Sequence, residues 1–318
     1  MKKNISSDKS SLHGISIIMC CYNSEKRLEP TLTHIANQTL PPHCEVELIV
    51  VDNASSDNTS NLAMQIWDKL RSPFPIKIIS EPTPGLAYAR KTGVLNARFM
   101  IGIFCDDDNW LNSDYLTLVE KIFSNNSHIG VIGGSSIPFS DKALPSFFYS
   151  KANSFAVGIQ AQETGDVSTR KYVWGAGMAI RLDFLKGLFS KGLQPLVTGR
   201  KGGGVTSGDD GEICAWFLFG GFRLWYQAEL KFIHYMPGDR LTEEYYSRFF
   251  MRSYPTLWST YSNYLIVRYF MLPDSIEFAG KIKNILMWLV ALFHLITVPN
   301  DFYVIHKINR FIKILSKK

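Results

Sequence analysis

Three apolar runs, each breaking off into turn-prone polar residues, constrain this chain most. Residues 15–20 (ISIIMC), 45–51 (EVELIVV) and 101–104 (IGIF) read as short buried strands. Residues 28–38 and 58–70 between them have helical spacing, the second with a Ser/Asp cluster able to cap it. A further strand at 76–79 precedes a helix opening within 82–93. Strands alternating with helices at this spacing predict an α/β fold with a parallel, doubly wound sheet. Ligands of such sheets bind beyond the carboxyl ends of the strands.

At one of those ends stand Asp106, Asp107 and Asp108. Three adjacent carboxylates after an apolar run are costly unless a cation sits among them. Oxygen ligands of this kind suit Mg²⁺ or Mn²⁺, held by one or two carboxylates and the phosphates of a substrate. A solvated acidic turn is the alternative, since Asp and Asn are common turn residues.

Composition narrows the classes. The 318 residues suffice for one large or two modest domains. Lys and Arg number 34 against 28 Asp and Glu, and a net charge of +6 is not the concentrated basic signal of a nucleic-acid binder. Cys20, Cys21, Cys44, Cys105 and Cys214 are scattered without zinc spacing, as expected of reduced thiols in a cytoplasmic protein. Residues 1–11 have no apolar signal-peptide core, so nothing argues for export.

The second half is less regular. A helix is expected at 114–123, a strand at 129–133 and a loop-rich insertion at 138–170. Residues 173–180 (VWGAGMAI) read as a glycine-rich strand that a ligand approaches closely. Residues 198–208, with five glycines, are expected to be mobile. A helix at 213–219 follows Asp209-Asp210-Gly211-Glu212, with strands near 222–226 and 229–234. The apolar run 285–298 has 14 residues, short of the roughly 20 needed to span a bilayer. Beyond it Val304, Ile305, Ile308, Phe311, Ile312 and Leu315 recur at helical spacing among basic residues. That pattern fits either an amphipathic helix in a membrane interface or a helix docked on the protein's own core. The expected division is a polar lead (1–13), a domain at 14–245 in two halves (14–110 and 111–245), and a membrane-proximal helical region (246–318).

Ordered motifs then carry a resemblance. ISIIMCCYNSE, ELIVVDNASSDNT, PGLAYARKTG, FCDDDNW, GAGMAIR, SGDDGEI and the late His234 together resemble the inverting, nucleotide-sugar-dependent family 2 glycosyltransferases of the A-type (GT-A) fold. Cys20-Cys21 replaces the commoner Pro-Thr, and Asp209-Asp210 the commoner Glu-Asp. No Gln-x-x-Arg-Trp motif or long membrane span suggests a processive synthase.

The resemblance implies a UDP-sugar donor, a saccharide or lipid-linked acceptor, Mn²⁺ or Mg²⁺, and work in cell-surface polysaccharide biosynthesis at the inner face of the cytoplasmic membrane. Asp52 would bind uracil, Tyr22 and Asn23 would wall the base or ribose, and Arg90 would reach the base or the phosphates. Asp108 would ligate the metal, while Asp106 and Asp107 reach the ribose and the metal's water shell. His234 would be a metal ligand or face the phosphates. Trp174, Gly175, Gly177 and Asp209 would wall the donor sugar or acceptor. Asp210 would be the catalytic base, with a helix N-terminus expected to keep its pKa low. Two alternatives are a sugar-phosphate nucleotidyltransferase, although the CCYNSEKR turn lacks its glycine-rich loop, and a non-catalytic nucleotide-sugar-binding protein.

Overall fold

The computed structural model describes residues 13–195, 197–200 and 208–250. The first half alternates as expected: β1 (Gly14–Cys21), α1 (Leu28–Ala36), β2 (Glu45–Asp52), α2 (Thr59–Lys69), β3 (Ile76–Ser80), α3 (Leu86–Asn96) and β4 (Ile101–Asp106). The second half adds β5 (Asn109–Leu111), α4 (Tyr115–Asn125), β6 (Ile129–Phe139), α5 (Ser146–Lys151), β7 (Gly165–Asp166), β8 (Ala179–Arg181), α6 (Leu182–Ser190), α7 (Asp209–Phe219), β9 (Arg223–Tyr235) and α8 (Glu243–Phe250).

Among the described residues the strands form one sheet ordered β3-β2-β1-β4-β8-β6-β9-β5, with β7 paired to β9. The β3-β2-β1-β4 half is parallel, whereas β8 runs antiparallel to both β4 and β6. The sheet is therefore mixed, and both expected halves of the domain share it.

Burial on both faces explains the continuous apolar runs of the parallel strands. Along β1, Ile15, Ile17 and Met19 enter a core with α1, α2 and α4, while Ile18 joins a second core with α3, α6 and α7. Helix α1 has no side-chain cap at Arg27 but buries Leu28, Leu32 and Ile35. A missing cap costs about 1 kcal/mol, and each buried aliphatic side chain returns about 1.5–3 kcal/mol. Packing, rather than capping, fixes this helix.

Two expectations need correction. Residues 173–178 are an irregular turn, and only Ala179–Arg181 is strand. The segments expected as separate strands near 222–226 and 229–234 are one strand of 13 residues, β9. All five cysteines are free, and only Cys20 is not fully buried. No helix among the described residues is long and apolar enough to cross a membrane. The apolar run 285–298, the basic segment beyond it and residues 201–207 of the glycine-rich stretch lie outside the described residues.

Candidate active site

Parallel register brings the carboxyl ends of three strands to one edge: Cys21 pairs with Asp52, and Cys20 with Asp106. The two loops beside them are locked together. Asn23, at φ 48°, donates its N–H to Ser55 Oγ (3.0 Å), and its Oδ1 accepts the Ser56 N–H (2.8 Å). Asp52 accepts from the Ser55 N–H (3.0 Å) and the Ser60 hydroxyl (2.5 Å). Asp57, rather than Asn58, caps α2 by accepting the Thr59 N–H (3.1 Å). Asn53, which the motifs did not single out, ties β2 to the start of α3 by accepting the Gly85 N–H (2.8 Å). Tyr22 stands 45% exposed beside this frame, so its ring is open to a ligand.

Each member of the acidic triplet has its own arginine. Arg27 grips Asp107 Oδ2 through Nε (3.0 Å) and Nη2 (2.6 Å). Arg240 Nη1 lies 2.6 Å from Asp108 Oδ2, and Arg90 Nη2 lies 3.6 Å from Asp106 Oδ1. The cation demanded by three adjacent acids is thus met within the chain. Arg27 and Arg240 were missed because their partners lie 80 and 132 positions away, beyond any local spacing signal. Burial pushes the Asp106 carboxyl up, against the pull of Arg90. Burial also works against Asp108, but His234 and Arg240 hold its carboxyl well below the usual carboxylate range.

His234 lies on β9 opposite Asn109, with its Nε2 3.4 Å from Asp108 Oδ1 and its Nδ1 buried without a hydrogen-bond partner among the described residues. No group of three or more His, Cys, Asp or Glu among those residues is placed to hold a metal ion unaided. The donor set of one carboxylate and one imidazole still fits Mn²⁺ or Mg²⁺ if substrate phosphates complete the shell.

The start of α7 sorts its two aspartates. Asp209 is buried with Oδ2 2.6 Å from Arg90 Nη1, so it is an ion-pair partner of that arginine. Asp210 is half-buried, makes no ion pair within 4.0 Å among the described residues, and accepts the Gly211 N–H (2.8 Å). Burial, followed by the neighbouring Asp209 charge, pushes its carboxyl up to about 6, against Arg90 and the backbone hydrogen bonds. The expected low pKa is therefore reversed: desolvation and a like charge outweigh the helix terminus.

The residues of the expected sugar wall, Trp174, Gly175 and Gly177, are buried. Trp174 is buried, its backbone N–H donating to Gln160 Oε1 (2.8 Å) and its ring lying beneath Arg170. Gly175 lets the Arg90 guanidinium lie against the backbone, where a Cβ would meet Nη2 at 2.6 Å. Gly177 adopts φ +67°, which glycine takes without strain, and its carbonyl accepts the Tyr115 hydroxyl (2.5 Å). Of the three, Gly175 seats Arg90, and Gly177 turns the chain against Tyr115 and Phe232.

Residues 16–170 match the family model described as glycosyl transferase family 2. The poly-beta-1,6-N-acetyl-D-glucosamine synthase of Staphylococcus epidermidis (strain RP62A) is 26% identical over 132 residues, 41% of this chain and 30% of that protein. The chain spans less than half the length of the curated relatives it matches. Among solved structures, S. aureus TarS 1-349 in complex with UDP-GlcNAc superposes with a TM-score of 0.54 at 19% identity, covering 95% of this chain and 81% of that one. The mannosyltransferase PcManGT from Pyrobaculum calidifontis, in complex with GDP-Man and Mn²⁺, superposes with a TM-score of 0.51 at 16% identity, covering 96% and 81%. The strand order, the acidic end of β4 and these matches agree: residues 16–170 match the glycosyl transferase family 2 model, and the fold is GT-A.

Proposed function

We propose that this protein transfers a sugar from a UDP-sugar to a hydroxyl of a saccharide or lipid-linked acceptor, with inversion, in building a cell-surface polysaccharide. The observation that carries this reading is Arg90. Buried and flat against Gly175, it reaches Asp106 at the end of β4 on one side and Asp209, next to Asp210, on the other. One cation thus couples the nucleotide edge to the start of α7, which makes the two a single site.

The chemistry follows from that placement. Tyr22 and Asp52 flank the nucleoside, and Asp106 faces the ribose side of the diphosphate. The acceptor oxygen attacks the anomeric carbon as the bond to the UDP oxygen breaks, and Asp210 accepts the hydroxyl proton late in that step. Asp210 as the base, with the neighbouring Asp209 and Asp106 held on Arg90, supports direct displacement. A divalent ion held by Asp108 and His234 would supply positive charge beside the leaving diphosphate. A nucleotidyltransferase is disfavoured, because the turn after β1 closes on Ser55 and Ser56 rather than cradling a triphosphate.

Product analysis tests the reading. UDP release should require both a UDP-sugar and an acceptor, and NMR of the product should show the inverted anomer; a retained anomer would refute direct displacement. Metal dependence has its own check. Asp108→Ala should abolish turnover and weaken UDP binding mainly in the presence of Mn²⁺, and full activity in excess EDTA would remove the metal from the scheme.

The membrane part of the reading is carried by the sequence beyond the described residues. Between positions 300 and 318, five Lys or Arg stand against one Asp. Anionic lipid attracts such residues at about 1 kcal/mol per nearby charge. The full chain should float with anionic liposomes at low salt, while a version ending at Ile282 should not. If both remain in the soluble fraction, the case for a lipid-linked acceptor fails.

A further inference from the structure

Residues 197–200 lie across the start of α3. Thr198 and Arg200 place their carbonyl oxygens on the N–H groups of Ala87 (3.1 Å) and Leu86 (3.0 Å). Gly199 between them takes φ +68°, and a Cβ there would stand 3.1 Å from Asp209 Cγ. The segment is therefore pinned by backbone bonds to α3 and by close approach to α7.

The pinning has an electrostatic result. The first free N–H groups of a helix ordinarily offer a seat for phosphate. On α3 two of those donors are already bonded to carbonyl oxygens, so the helix end is closed to an anion there. The same segment presents the Arg200 side chain, which is exposed and makes no hydrogen bond or ion pair among the described residues. The other arginines of the site are each committed to an acid: Arg27 to Asp107, Arg90 to Asp209 and Asp106, and Arg240 to Asp108. Gly199, its neighbour, lies against Asp209, which shares Arg90 with Asp106, so Arg200 stands on the side of the site where α3 and α7 meet the end of β4.

We propose that Arg200 is a diphosphate-binding residue that meets the donor's phosphate oxygens from the α3–α7 side, opposite Arg240. The inference rests on the nucleotide-sugar reading given above. A guanidinium offers a planar pair of N–H donors that matches two phosphate oxygens, and a free one loses no existing ion pair on binding. Because the segment is anchored through the Arg200 carbonyl and not its side chain, substitution leaves the anchoring bonds in place.

The test is titration of the full-length chain and its Arg200→Gln and Arg200→Lys variants with UDP, by calorimetry in Mn²⁺, and with uridine, by ligand-observed NMR. Arg200→Gln should weaken UDP binding about 10- to 100-fold, the range for losing a charge-assisted hydrogen bond, and leave uridine binding unchanged. Arg200→Lys should recover part of the loss, and the thermal melts of all three proteins should coincide. Undiminished UDP binding by Arg200→Gln overturns the assignment. Equal weakening toward uridine also overturns it, because the residue would then be shaping the pocket rather than holding phosphate. Failure of the unmodified chain to bind UDP sinks the nucleotide-sugar reading itself, and with it the role of Arg200.

Discussion

Asp210→Asn should lower kcat by about 10²–10⁴-fold, the usual cost of removing a general base, while UDP binding stays within about twofold. The amide keeps an oxygen for the Gly211 N–H, so the start of α7 survives. The pH profile provides a sharper check. With its carboxyl pushed up to about 6, Asp210 gains its charge as pH rises through that value, so kcat/KM should fall tenfold per pH unit below it. Stability should move oppositely. Above about pH 6 the native state carries a charge that burial and Asp209 disfavour, which the asparagine variant lacks. The variant should therefore melt no lower than the parent at pH 7.5, and any advantage should shrink as pH falls from 6 toward the ordinary carboxylate range. A variant of near-normal rate, or a flat pH profile between 5 and 7, would show that another group takes the proton.

Arg90→Met should cost about 3–5 kcal/mol of stability, the range for stripping one partner from a buried ion pair. Native domains hold only about 5–15 kcal/mol in reserve, so the loss is large. Arg90 and Asp209 have side chains only 4% and 9% exposed, and water offers the abandoned carboxylate little relief. Burial works against the guanidinium charge, yet Asp209 and Asp106 more than compensate and hold it charged. The double variant Arg90→Met, Asp209→Leu should recover most of the loss in urea unfolding, because the more deeply buried carboxylate leaves with its partner and Asp106 keeps partial access to water. It should stay inactive, since no cation would then join the end of β4 to the start of α7 beside Asp210. A loss under about 1 kcal/mol in the single variant, or no recovery in the double, would mean that the pair is not the structural link between β4 and α7.

The strands that carry the nucleotide edge were legible because both faces of β1, β2 and β4 are covered, leaving unbroken apolar runs. The acidic triplet was legible because three adjacent carboxylates have few ordinary explanations. What answers them was not: Arg27 and Arg240 look like any surface arginine until the chain folds. Residues 173–178 misled because burial in a tight turn and burial in a strand both select apolar residues, and only the positive φ of Gly177 distinguishes them. The pKa of Asp210 misled for a related reason. A helix terminus is a local feature readable from sequence, whereas its burial and the fixed charge of Asp209 depend on how α7 meets α3.

The long strand β9 has a consequence for how the chain comes together as it is made. It is the shared partner of β5, β6 and β7, and those pairings join residues up to 125 positions apart, from Asn109 to His234. While synthesis proceeds, the parallel half can assemble early from neighbouring segments. The other half waits, with β6 presenting an open edge, until residue 235 has left the ribosome. Pairings of such wide separation form slowly, and an unfilled edge is where partly made chains stick to one another. Interruptions of synthesis between α4 and β9 should therefore be the most damaging for recovering soluble protein. His234, at the far end of β9, reaches Asp108 only after that strand has zipped into place, so the active site is the last part of the described domain to exist.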